Sequence, residues 1–379
     1  EVTGEPSTYS IRLRALTDMR KRSEANVNLL THMEFDRVYY LVTREHKTVK
    51  QAKKQAQAEI FNAFHIDTTG FSGSSEDLDV FGTTDADAAL LAISVLLQGT
   101  RSENELMILL TEVSNAMETG GTWDGGYADT VKAAMADWAL EVDTSKKFDV
   151  IKDGILKWNI SPTVPNFEVP LRKYWSVESK LGVCGEGDNV EGTVKPVSNA
   201  ISKYYASTYT DIGRSVVRFI CDNGKWRIAT DFEKDTYERK CSASEEGSVL
   251  SGRINYTTKY YCMSDSWVDI MDWSWDIPKS ARLNPNVRYD SIVDARDGRT
   301  YKTIKIGSQT WMAENLNYAD TTETFKINSK CLYDKDEYCE IAGRQYSWSA
   351  VIDSVKLESD SIASQLCGDG KTCSLSTDV

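Results

Sequence analysis

No cysteine occurs in the first 183 of the 379 residues, and no histidine occurs after residue 65. Catalysis by a histidine-activated serine or cysteine would therefore need His32, His46 or His65 carried across from the N-terminal region. No run of eighteen apolar residues exists, so no stretch reads as a membrane-spanning helix. The opening EVTGEPSTYSIRLRAL lacks a basic segment followed by an apolar one and does not read as a signal peptide, so Glu1 reads as a processed or excised start. Positive charge is short, with 44 Lys and Arg against 57 Asp and Glu; a net charge of -13 argues against a nucleic-acid partner, which such a surface repels. Cys-x-x-Cys is absent and the histidines lie far upstream of the cysteines, which leaves zinc the weaker account of them.

What is present belongs to a folded chain. An apolar fraction of 41% beside 27% charged residues is that of a globular protein, and the length calls for two to four domains. The eight cysteines divide into successive pairs: Cys184 and Cys221, Cys241 and Cys262, Cys331 and Cys339, Cys367 and Cys373. Four local disulfides and an oxidising compartment follow from that usage.

The expected fold class is multi-domain α plus β, beginning with an all-α bundle over residues 1–160. Alternation over residues 9–16 predicts a strand, the last of some upstream domain, and apolar spacing over 26–42 predicts one helix. Thr48 with Gln51 and Ser102 with Glu105 are capping boxes; Thr84 caps an almost wholly apolar helix that Gly99 ends. Further helices are expected over 128–142 and 146–157. Pro162, Pro165 and Pro170 then mark a stiff linker over 161–183.

Residues 184–240 and 241–285 repeat one another. The first copy carries Cys184, Glu191-Gly192-Thr193-Val194, Phe219-Ile220-Cys221, Trp226, Asp231 and Asp235; the second carries Cys241, Glu246-Gly247-Ser248-Val249, Tyr260-Tyr261-Cys262, Trp267, Asp272 and Asp276. Each copy is too small for an adequate core, so a bridge worth about 3–4 kcal/mol in the chain-entropy model matters to it. Farther on, Tyr301, Thr303 and Lys305 alternate with Lys302, Ile304 and Ile306 before a turn at Gly307-Ser308, which predicts a hairpin returning through Trp311 and Met312.

The order Asp297-Gly298, Tyr301-Lys302-Thr303, Ile306-Gly307, Gln309 to Leu316 and Asn317-Tyr318, followed by Gly343 to Ala350, resembles the start of the Fibrobacter succinogenes major paralogous domain. The resemblance covers about 290–379, stops inside that domain, and implies a partial C-type-lectin-like fold on a secreted or surface protein, with no established activity. Asn26 to His32, Arg37 to Val42 and Ala52 to Ala56 resemble a region found upstream of the same domain.

Aromatic residues of the repeats are the candidate ligand contacts: Trp226, Tyr260, Trp267, Trp273 and Trp275, with Phe232 and Tyr261 beside them. Aromatic faces stack on the C–H surfaces of sugar rings, and neighbouring acids accept hydroxyl hydrogen bonds, but small modules also need aromatics for their cores. Trp273 and Trp275, two apart on an expected strand, face one side and are the stronger pair. Glu76, Asp77, Asp79, Asp85 and Asp87 form a weak calcium candidate without EF-hand spacing, and Asp85 and Asp87 already suit a helix N-terminus. The expected protein is non-enzymatic and needs no cofactor. Its work is adhesion or surface assembly, with polysaccharide, other surface proteins or further copies of the chain as partners. The alternatives are a subunit of an extracellular filament, for which residues 67–130 with Arg101 as their single cation give some charge asymmetry, and an enzyme, either carbohydrate-active through paired acids or related to the formylglycine-generating enzymes.

Overall fold

Side-chain caps start four of the first five helices. In the computed structural model, which describes residues 10–20, 22–158, 160–161, 163–198, 216–254, 256–271, 274–284, 287–319 and 329–347, Asn28, Thr48, Thr84 and Ser102 each accept a hydrogen bond from the backbone three residues on. The third residue of each helix returns a bond to the cap, so two orphan donors are satisfied at once. The helices so placed are α1 (Leu29–Met33), α3 (Val49–Ala63), α4 (Asp85–Gln98) and α5 (Glu103–Gly120), with α2 (Phe35–Thr43) between the first two. Gly99 and Gly121 end α4 and α5 with positive φ. A Cβ at Gly121 would lie 2.3 Å from the Glu59 carboxyl carbon, so Glu59, which pairs with Arg37, would have to shift to admit a side chain.

Three further helices follow, α6 (Gly126–Thr144), α7 (Phe148–Leu156) and α8 (Glu168–Glu178). The stretch expected as a stiff, proline-containing linker over 161–183 thus contains a helix, with Leu171, Tyr174 and Trp175 fully buried. Pro170 does not prevent it: it stands in the first turn, where its missing N–H has no intrahelical partner to lose.

Two other local expectations are corrected. The helix expected over 26–42 is broken at Glu34, whose side chain is 1% exposed and turned onto Lys53 at 2.5 Å and Ser75 at 2.7 Å. The described residues 10–16 form no strand. They pack against the helices: Arg14 pairs with Asp36 at 2.6 Å, and the Leu16 carbonyl accepts from Lys53 at 2.9 Å.

The chain forms two compact units, Glu1–Glu238 and Arg239–Val379, of mixed α plus β type. The first unit contains α1 to α8 and the first repeat. There β1 (Val194–Ser198), β2 (Val216–Asp222) and β3 (Lys225–Ile228) form an antiparallel sheet in that order, followed by α9 (Asp231–Thr236). One buried core runs from α4 and α8 into this sheet through Val197, Val217, Phe219 and Trp226, with the Trp175 and Phe219 rings 5.9 Å apart. The first repeat therefore shares the core of the helices and is not a separate module.

In the second unit, β4 (Val249–Ser251), β5 (Lys259–Met263) and β6 (Ser266–Asp269) form the corresponding antiparallel sheet. Its apolar cluster is small: Ile270, Ile277 and Ala281, with Val249, Tyr261 and Val268 packed against them. A third sheet pairs β7 (Asp290–Val293), β8 (Thr300–Ile306) and β9 (Gln309–Met312). The expected hairpin is there, with Ile306 opposite Gln309 and Gly307 at φ 63° in the turn. Finally, α10 (Asp336–Ala342) lies between β10 (Ser329–Lys330) and β11 (Gln345–Tyr346). Three bridges close these small elements: Cys184–Cys221, Cys241–Cys262 and Cys331–Cys339. Cys367 and Cys373 lie outside the described residues.

Candidate functional site

The two repeat copies agree bond for bond. In each, the second cysteine of the bridge stands opposite the tryptophan five residues on, Cys221 against Trp226 and Cys262 against Trp267. The glycine N–H donates to that cysteine's carbonyl in both, Gly192 at 2.8 Å and Gly247 at 2.9 Å. Glu191 and Glu246 cap the hairpin tips by accepting from the backbone N–H of Asn223 and Ser264. The two tip residues are left-handed in each copy, Asn223-Gly224 and Ser264-Asp265, as a two-residue hairpin with the twist of its strands requires. Both indole N–H groups donate to the carbonyl two residues before the first cysteine, Trp226 to Gly182 at 2.7 Å and Trp267 to Arg239 at 2.6 Å.

These contacts decide where the candidate aromatics sit. Trp226 and Tyr260 are 5% and 3% exposed, so both lie inside cores rather than on a ligand-binding surface. Trp267 is half-buried and tied by its indole. Tyr261 packs on the small cluster of the second unit, and Phe232 is exposed on α9. Trp273 lies outside the described residues. Trp275 stands in a turn rather than on a strand, and its ring stacks on Tyr338 at 3.7 Å and 8°. The structure thus gives Trp275 an aromatic partner, from the disulfide-closed segment around α10, that no periodicity in the sequence pointed to.

A cavity of about 650 Å³ opens beside the acidic loop, lined in part by Phe71, Ser72, Asp77, Thr83, Asp85 and Asp87. Of the three carboxylates that line it, those of Asp77 and Asp87 are already engaged, as is that of the neighbouring Asp79. Asp87 accepts from the Asp79 and Thr84 backbone N–H groups at 2.9 and 3.0 Å; Asp77 accepts from Ser74 and Arg22; Asp79 accepts from Phe81. Bonds from Ser74 and Arg22 leave the Asp77 carboxyl below its ordinary value although burial pushes it up. Among the described residues no group of three acidic, histidine or cysteine side chains is arranged to hold a metal ion.

The titratable residues buried in the first unit serve packing and pairing. Lys53 lies between Glu34 at 2.5 Å and Glu76 at 2.8 Å, all three under 10% exposed. Burial pushes the Glu34 carboxyl up, whereas for Glu76 the bonds from Lys53 and Thr17 outweigh burial and hold it low. His32 is 3% exposed and neither ring nitrogen has a hydrogen-bond partner; burial, and then Arg14, lower its pKa. The ring hydrogen bond of His65 goes to Glu178 at 2.7 Å, not to a hydroxyl or thiol, and holds the Glu178 carboxyl below its ordinary value. His46 occupies a left-handed position after α2. None of these arrangements pairs a nucleophile with a base.

The architecture is that of a two-unit α plus β protein whose small antiparallel sheets carry disulfides. Comparison with known proteins returns no matching family model, no matching curated protein and no matching solved structure.

Proposed function

We propose that this chain is a non-enzymatic, modular protein of the cell exterior, working in adhesion or surface assembly with polysaccharide as its partner. The observation that carries the reading is the set of three bridges, each closing a small sheet or a single loop, with no free thiol among the described residues. Such bonds persist in oxidising surroundings and are rare where thiols are kept reduced. The resemblance of 297–318 to the major paralogous domain supports the same address. In this reading the helices form the bundle of a surface protein, and the segment from residue 290 onward is the start of a lectin-like domain. No described helix is long and apolar enough to cross a membrane.

Co-sedimentation of the full chain with insoluble cellulose, xylan and chitin tests the reading. Retention on one of them, without release of soluble sugar, is the expected result. Sugar release from the same pellets would instead assign a carbohydrate-active enzyme, and failure to sediment with any of the three would remove polysaccharide as the partner.

A further inference from the structure

His32 is a polar ring buried in the first unit with neither nitrogen hydrogen-bonded, and the charged groups that act on it are Arg14, from the arm of residues 10–20, and Asp36, from α2. We infer that His32 is an acid-sensing latch for this arm: its protonation breaks the Arg14–Asp36 pair and releases residues 10–16 from the helices.

The arm is held by few bonds. Arg14 donates to both Asp36 carboxylate oxygens, at 3.2 and 2.6 Å, and its guanidinium lies 4.5 Å from the centre of the Phe35 ring. Ser114 of α5 donates to Asp36 at 2.7 Å and accepts from Arg14 at 3.4 Å. Leu13 packs on the main core, and Leu16 packs on the small cluster of Val38, Leu41, Ala52 and Ala56. The described residues 10–16 have no regular secondary structure, so these side chains, and not a ladder of backbone bonds, keep the arm in place.

A proton on His32 puts a second cation where Asp36 already answers Arg14. The new N–H has no acceptor in the present arrangement, and a buried charge without a partner is costly. Arg14 is the cation able to leave: its side chain is 39% exposed and stands on the arm, whereas His32 is fixed within α1. Its departure hands Asp36 to the imidazolium and uncovers the seat of Leu16. Burial, and then Arg14, keep the ring neutral at neutral pH; burial pushes the Asp36 carboxyl up, but the bonds from Arg14 and Ser114 outweigh it and hold it low. The released form therefore binds the proton more tightly, and release is favoured as pH falls below about 6.5.

The other elements around α1 bring charges that are already paired. Arg37 of α2 meets Glu59 of α3, and Lys53 of α3 lies between Glu34 and Glu76, the latter in the 3-10 turn Ser75–Asp77, where Asp77 pairs with Arg22. Helix α4 has no charged residue beyond its first turn, and α5 buries no acid. Glu34 is the competing sensor: burial raises its carboxyl, and neutralising it would loosen Lys53, which holds the Leu16 carbonyl.

Proteolysis of the full chain by proteinase K at pH 7 and pH 5 tests the latch, with rates divided by those on an unstructured peptide and cuts within residues 10–20 located by mass. The wild-type arm should be cut about tenfold faster or more at pH 5, one pH unit of linkage being worth up to a factor of ten, while far-ultraviolet circular dichroism is unchanged. His32→Leu should leave the arm slow to cut at both pH values, and Arg14→Ala should leave it fast at both. Equal rates for the wild-type arm at the two pH values would overturn the latch. An acid acceleration that survives His32→Leu would also overturn it and move the sensor to Glu34. If His32→Leu does not fold, Arg14→Ala decides: an acceleration that persists without Arg14 contradicts the inference.

Discussion

The two copies of the repeat share a bond pattern and differ in what lies beneath it. The first lays Val217, Phe219 and Trp226 into the core that also holds Trp175 and α4, whereas the second, among the described residues, buries Leu250 and Tyr260 on its strands and packs on a small cluster of Ile270, Ile277 and Ala281 with three half-buried neighbours. A hairpin closed by one cysteine bridge is therefore a unit that can either be absorbed into a large core or stand on a small one. The disulfide has different work in the two places: a supplement to packing in the first unit, and a substitute for it in the second.

Trp226→Ala sharpens the contrast most. It empties a site 5% exposed within the large core and should cost about 3–5 kcal/mol in equilibrium denaturation. Trp267→Ala, at the matching but half-buried position, should cost roughly 1–2 kcal/mol by the area it covers. Equal losses would mean that the two copies are packed alike.

Replacing both cysteines of a bridge by alanine comes next. Loss of Cys184–Cys221 or of Cys241–Cys262 should cost about 3–4 kcal/mol in the chain-entropy model. Only the second pair should also abolish the near-ultraviolet circular dichroism of its own sheet, because the apolar cluster beneath that sheet is small and Trp267 is half-buried. Retention of that signal without the second bridge would break the comparison.

Acid should act on the other side of it. The pKa of His32 is lowered in the folded state, so below about 6.5, the ordinary histidine value, the unfolded chain binds more protons and stability falls as pH falls. The slope is at most roughly 1.4 kcal/mol per pH unit. His32→Leu should flatten the denaturation curve of the first unit between pH 7 and 5 and leave the second unit unchanged. A slope that survives the substitution would point to other groups.

The smallest effect separates capping from metal binding in the acidic loop. Asp87→Ala should cost about 1 kcal/mol through the lost cap, whereas Asp85→Asn should change stability by less than about 0.5 kcal/mol, as surface substitutions do. A rise in melting temperature with added calcium that Asp85→Asn abolishes would contradict the reading of the loop as a capping structure.

Much of the fold is legible where the information is local. Thr48 with Gln51, Ser102 with Glu105, and Thr84 announce their helices because a cap and its partner are three residues apart. The repeat and its bridges are legible because cysteine and tryptophan keep one spacing in both copies. Helix α8 is obscured by Pro165 and Pro170, although Phe167, Leu171, Tyr174 and Trp175 recur at helical spacing and were the signal to follow. That Trp226 enters a shared core, or that Lys53 meets Glu34 and Glu76, depends on residues brought together from distant parts of the chain.

Hydrogen exchange on a single chain lacking both the Cys184–Cys221 and Cys241–Cys262 bridges compares the copies most directly. The account predicts that Val216–Asp222 keeps its protection together with α4, while Lys259–Met263 and Ser266–Asp269 exchange freely. Loss of protection in both sheets together, or in neither, would contradict it.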